Sequence, residues 1–359
     1  MRNFVAIILT SIFLFWGCSD KKAVDRSKTE DFSPEPELIE TYGLGNAWLS
    51  EYGFFSGDLK ELIPAENVYS YEINTPLFSD YAIKRRFIYL PEGSSMHFVS
   101  NDVLNFPVGT VLIKNFYYEE LNSKGNKIIE TRLLIRNEDD WKPLTYIWKN
   151  DQTDAYLEIV GAKKQVSFYS PEGKKLDIKY SIPDLNQCQN CHNKNEVLTP
   201  IGPTAAQLNK IVNIKGEKVN QLVAFASNGN LKDMPSLEHV SVIAKWDSPE
   251  YSISERARAY LDINCGHCHN PGGSAKTSGL NLTLTEKDPH KLGIDKKPVA
   301  AGKASGNLLY DIVKGKPEQS IVLFRMNSDK PEIMMPELGR SLIHQEGVEL
   351  IKAWIKEMD

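Results

Sequence analysis

Cysteine is scarce in this chain. Only five occur in 359 residues: Cys18, Cys188, Cys191, Cys265 and Cys268. Histidine is nearly as rare, with seven. No long basic stripe is present, and 42 Lys and Arg against 47 Asp and Glu leave a formal charge of −5. That composition gives nucleic-acid binding no support. Long apolar runs are also missing. The one continuous stretch, residues 4–16, is too short to span a bilayer comfortably. Residues 38–180 hold no grouping of acid, base and nucleophile that reads as a catalytic constellation.

Against that scarcity, four of the five cysteines fall into two strings, Cys188-Gln189-Asn190-Cys191-His192 and Cys265-Gly266-His267-Cys268-His269. Each is C-x-x-C-H, the attachment pattern of a c-type haem. Two thiols one helical turn apart add to the two vinyl groups of one porphyrin, and the next residue offers its imidazole as proximal iron ligand. The expectation is two covalently bound haem c groups, with His192 and His269 on the irons. Other chemistries use the same spacing. Four cysteines can build one four-thiolate zinc site, although zinc needs no His after each pair. An exported protein also permits two structural disulfides. Cys265-Gly266-His267-Cys268 matches the dithiol string of disulfide isomerases, but there C-x-x-C opens a helix that follows a strand. Here a helical segment precedes the string, and Asn270-Pro271-Gly272-Gly273 breaks the chain after it.

The N-terminus reads as export. Met1-Arg2-Asn3 is followed by the apolar run and by Gly17-Cys18, the layout of a signal peptide. It resembles a bacterial lipoprotein signal over residues 1–17, cleaved before an acylated Cys18. Phe15 and Trp16 are bulkier than usual before such a cysteine, so a plain signal peptide or an uncleaved anchor stays open. Residues 18–37 are polar and carry Pro34 and Pro36; they read as a flexible tether. Ser19 after the cysteine favours the outer membrane by the same resemblance, with the body facing the periplasm or the cell surface.

Residues 38–181 read as strands. The runs 86–90, 110–118, 127–136, 143–149, 155–160, 165–169 and 176–180 are β-branched and aromatic, and turns such as Pro171-Glu172-Gly173 separate them. An all-β, sandwich-like domain is expected. Asn74-Thr75-Pro76-Leu77-Phe78-Ser79-Asp80-Tyr81 is a distinctive loop, and Lys84-Arg85-Arg86 a short basic cluster. Either offers a contact to a haem propionate or a partner; the plainer reading is a turn and a solvated strand edge. Residues 182–247 form a first haem segment with short helices predicted over 204–212 and 219–227. In residues 248–359, Ser252 and Glu255 form a capping box ahead of a helix that runs into Cys265. Val348, Ile351, Ile355 and Met358 stripe a terminal helix. Helix, C-x-x-C-H and terminal helix is the class I cytochrome c order. The fold expectation is therefore multidomain: the β domain, then mostly α, cytochrome c-like haem domains.

A sixth iron ligand is needed. Methionine suits electron transfer, and Met335-Pro336 lies 66 residues after His269, with Met334 adjacent and Met326 more remote in character. Met234-Pro235 lies 42 residues after His192 and is the parallel candidate; Met234 as simple packing, His239 and His97 are the rivals. His290 and His344 read as ordinary surface or locally bonded histidines. An open site would instead bind peroxide or small ligands.

With these residues together, the chain resembles a family of exported bacterial di-haem c-type cytochromes. The markers are Asn74 to Tyr81, Glu130-Thr131-Arg132-Leu133-Leu134-Ile135, Asn186 to His192, Pro200-Ile201-Gly202-Pro203, and Met335-Pro336-Glu337-Leu338-Gly339-Arg340. The resemblance implies a β-rich front domain, two haem segments and a redox partner protein, a parallel β-helix protein encoded nearby being one candidate. The expected function is electron transfer in the cell envelope by a membrane-tethered carrier. A di-haem peroxidase with one open haem is the enzymatic alternative, and thiol-disulfide exchange a further one. The β domain as a glycan or partner binder, with the haems as its redox tail, is the third class.

Overall fold

The computed structural model describes residues 43–121, 125–299 and 302–359. Six strands form the main sheet: β1 (Val68–Tyr71), β2 (Ile83–Tyr89), β3 (Val111–Glu119), β4 (Asn126–Arg136), β5 (Trp141–Trp148) and β6 (Ala155–Glu158). They pair antiparallel in chain order, with short turns joining β4 to β5 and β5 to β6 and longer loops over 72–82 and 90–110 joining β1 to β2 and β2 to β3. Apolar side chains occupy both faces of the central strands, because both faces are covered. Phe87, Ile113, Leu133 and Leu144 stand opposite one another across β2–β5. They pack against Leu49, Phe54, Phe55 and Leu62 of the N-terminal segment.

The other face is covered by three pieces of chain. At one end the hairpin β7 (Ala162–Tyr169) and β8 (Lys175–Ile182) lays Val166, Phe168, Ile178 and Tyr180 on Phe116, Tyr118 and Ile147. At the other end Ala205, Leu208, Leu222 and Phe225 cover Ile88 and Leu112. Between them lies helix α1 (Leu185–Cys191), which rests on β5.

The expected fold class is corrected here. Among the described residues, strand accounts for 28% of the chain and helix for 22%, in six short helices, and no α-rich cytochrome c domain is formed. The helices after α1 are α2 (Ala205–Leu208), α3 (Gln221–Ser227), α4 (Ile253–Leu261), α5 (Ile321–Met326) and α6 (Gln345–Lys356). The physical reasons are local. The helix predicted over 204–212 stops at Leu208, and the β-branched Ile211 and Val212 then pair with Val219 and Asn220 in a hairpin turned at Lys215-Gly216. Between α4 and α6 the chain is punctuated by prolines and glycines that favour turns over helix. Nor is the front part a sandwich: the second layer over the sheet is a hairpin plus helices and loops. Helices α4 and α6 do pack on each other, through Ala257, Tyr260, Leu261, Val348, Ile351 and Ile355. No described helix is long and apolar enough to cross a membrane. The signal peptide, the tether and Cys18 lie outside the described residues.

Candidate haem-attachment centre

The first motif is built on α1. Asp184 caps this helix by accepting from the Gln187 amide, and the Gln187 side chain accepts in return from the Asp184 amide. Cys188 and Cys191 therefore sit one turn apart, and His192 closes the helix, its amide donating to the Cys188 carbonyl at 3.0 Å. The second motif follows α4, which begins at the expected Ser252/Glu255 capping box. The helix widens into a π-helical turn over Asp262–Gly266, a distortion frequent at functional sites, and delivers Cys265 at its end. The Cys268 and His269 amides both donate to the Cys265 carbonyl, so this motif is also one tight turn.

The two proximal candidates are prepared alike. His192 Nδ1 lies 3.0 Å from the Thr199 carbonyl. A carbonyl only accepts, so Nδ1 carries the proton and Nε2 is left with a bare lone pair. His269 Nδ1 lies 2.9 Å from Ser278 Oγ. The Ser278 hydroxyl spends its one proton on the Ala275 carbonyl, so again Nδ1 must donate and Nε2 is bare. Such outer bonds orient the metal-ligating histidines of known sites. Burial pushes His192 down to about 4 and lowers His269 as well, which keeps both rings neutral. Thr199 and Ser278 were not legible as partners in the sequence.

The motifs face each other. The Asn195 amide donates to the Gly272 carbonyl at 2.8 Å, and Cys268 Sγ is 3.6 Å from the Asn190 carbonyl. Cys191 Sγ, Cys268 Sγ and a nitrogen of His267 lie within 4.8 Å of one another. A hydrogen bond between the two sulfurs raises Cys191 and lowers Cys268, where His267 also favours the thiolate. Burial raises Cys188, and pushes Cys265 up to about 12.

Beside Cys265 is a pocket lined by Phe78, Tyr260, Met326, Met335, Arg340 and His344, among others. Met335 and Met326 thus line one pocket with Cys265 of the second motif. The Met335 carbonyl accepts from Arg340 Nη2 at 2.8 Å, and its amide donates to the Arg325 carbonyl. Met334 is buried nearby in the chain. Met234 packs half-buried against the apolar cluster of Leu231 and Val240. His97 bonds Asp233 and His239 bonds Ser236, both at exposed positions.

The loop Asn74–Tyr81 proves central. The Asn74 amide and side chain reach Gln207, Ala206 and Asn209; Thr75 Oγ1 donates to the Ala244 carbonyl; and the Phe78 amide donates to Asn264. Phe78 stacks on His344 at 4.2 Å, and Tyr81 donates to Glu346. Asp80 is buried and accepts from the Ser341 and Leu342 amides and the Ser341 hydroxyl. One loop of the sheet thus touches both motif-bearing segments.

Comparison with protein-family models, with curated proteins and with solved structures gives no match.

Proposed function

We propose that this chain is an exported di-haem c-type cytochrome that moves electrons in the cell envelope, tethered through a lipid on Cys18. Cys188 and Cys191 would fasten one haem, and Cys265 and Cys268 the other. His192 and His269 would ligate the irons, with Met335 the sixth ligand of the second and Met234 the candidate for the first. The observation that carries this reading is the shared preparation of His192 and His269. Each follows a pair of thiols, each is half-buried and kept neutral by desolvation, and each has Nδ1 engaged so that Nε2 is free to bind metal. The attached groups supply one-electron redox chemistry when bound. The chain's own residues fix ring orientation, limit water around Cys265, and hold the two attachment sites in contact through Cys191 and Cys268. That contact favours exchange between the two centres before transfer to a partner protein.

A specific observation favours a second reading. Cys191, Cys268 and His267 gather soft and borderline donors within ligand distance, so the same residues suit one zinc-like ion. Expression through the export pathway with the haem-attachment machinery separates the two. The expected product is red, heavier by two macrocycles, and loses one haem's visible band with each of His192→Ala and His269→Ala. A colourless protein with one zinc per chain would replace the first reading with the second.

A further inference from the structure

The covered face of the sheet carries a row of cations. Arg86, Lys114 and Arg132 stand directly opposite one another on β2, β3 and β4, and Lys84 lies two residues along β2 on the same face. With strands about 4.8 Å apart, the row from Arg132 to Arg86 is roughly 10 Å long. Arg132 is satisfied: Nε and Nη2 donate to Glu130 at 2.9 and 2.5 Å. Arg86 is not. Among the described residues, Arg86 Nη2 is buried without a hydrogen-bond partner. Lys114 Nζ sits over the Phe116 ring at 4.8 Å, and Lys84 Nζ reaches only the Leu77 carbonyl. The carboxylates within electrostatic reach are engaged by other groups: Glu72 by Lys210, Asp80 by Ser341 and Leu342, and Glu130 by Arg132 and Tyr180. Burial and mutual repulsion push Lys84 down to about 7 and hold Lys114 well below an ordinary lysine. Like charges side by side on a half-buried face, one of them with an orphaned nitrogen, are costly unless an anion joins them.

The row has a direction. At the Arg132 end its charge is felt by Cys188 and, with Lys114, by His192. At the other end Lys84 and Arg86 line a cavity of about 430 Å³, where Lys210 pairs with Glu72 and Lys245 with Asp247, so the cations left over in its lining are Lys84, Arg85 and Arg86. Its length is comparable with the breadth of a porphyrin, whose vinyl-derived and propionate edges lie opposite each other.

We propose that Lys84, Arg86 and Lys114 receive the propionate carboxylates of the haem fastened at Cys188 and Cys191, while the Arg132–Glu130 pair lies under its thioether edge. This rests on the di-haem reading. A free anion such as phosphate has the same chemistry toward the cavity, and the test separates the two sources.

The exported holoprotein is titrated optically, with each haem assigned in single-haem variants lacking the other pair of thiols. Lys114→Met and Arg86→Met each remove a positive charge beside the propionates. Each is expected to lower the midpoint potential of the His192 haem by about tenfold in its reduction equilibrium, about 59 mV for one electron. The His269 haem stays unmoved, and Arg86→Lys keeps the original value. Either methionine variant alone suffices should the other fail to accumulate. Red variants with both potentials unchanged overturn the proposal. So does a phosphate-dependent shift in the wild type that the variants abolish, which assigns the cavity to a free anion. A colourless wild type overturns the di-haem reading itself and this inference with it.

Discussion

His344 shows how far burial alters a single side chain. Its ring stacks on Phe78, meets Trp246 at 4.9 Å and bonds the Tyr260 hydroxyl through Nδ1, with Nε2 at 3.6 Å from Glu346. Burial first, then the charges of Lys84 and Arg340, push it from 6.5 down to about 4. The folded state therefore favours the neutral ring. Its contribution is fully present above about pH 6.5 and is lost as the pH falls toward 4, up to roughly 3 kcal/mol. Thermal unfolding across that window should show a steep acid limb that His344→Phe flattens; an unchanged limb would assign the acid sensitivity elsewhere. Ser278 offers a second test at this scale. Ser278→Ala removes the acceptor that fixes the His269 tautomer, and loss of such a bond costs about 10–100-fold in metal affinity or activity. Haem content and spectra should change at the second motif alone. Sequence showed the two histidines through their motif, but not Thr199 or Ser278, which lie seven and nine residues further on and are ordinary until the chain folds back.

At the scale of elements, the strands were legible because β-branched and aromatic runs between turn residues have one economical solution. The capping box at Ser252 and the terminal helix stripe were legible for similar local reasons. Of the cation row only the Lys84-Arg85-Arg86 cluster was. Lys114 and Arg132 each interrupt an apolar strand, a signal of something unusual, but only the register places them beside Arg86. The Asn74–Tyr81 loop was weighed as a plain turn, yet Asp80 and Tyr81 both adopt left-handed backbone, with φ of 49° and 60°. A bulky residue holds that conformation only when its surroundings over-determine it. Asp80→Asn removes the charge that accepts from Ser341 and Leu342, and a loss of about 3 kcal/mol is expected in denaturant titration. A helix-packing change tests the other anchor. A side chain added at Gly347 would collide with the Tyr260 ring and hydroxyl, so Gly347→Ala should cost about 1–3 kcal/mol and disturb the pocket shared by Tyr260 and Met335. Unchanged stability would mean that α6 can slide on α4.

For the whole molecule, the sequence suggested separate domains in series, and the motif-bearing segments were expected to build α-rich cores of their own. The first segment does not, because α2 and α3 span only 4 and 7 residues and bury their apolar sides on the sheet; in the last segment α4 and α6 do share a core, but as two short helices among turns. The sheet face is the floor beneath the first motif. Residues 183–247 expressed alone should therefore lack a cooperative unfolding transition that the intact chain has; a sharp transition from that fragment would make it an autonomous domain. The Asp80 clasp carries one more implication. Its halves are 261 residues apart, and both C-x-x-C-H strings lie between them. A growing polypeptide thus has no means of latching until both strings have left the ribosome, and a message truncated before codon 341 yields a product that can never be latched.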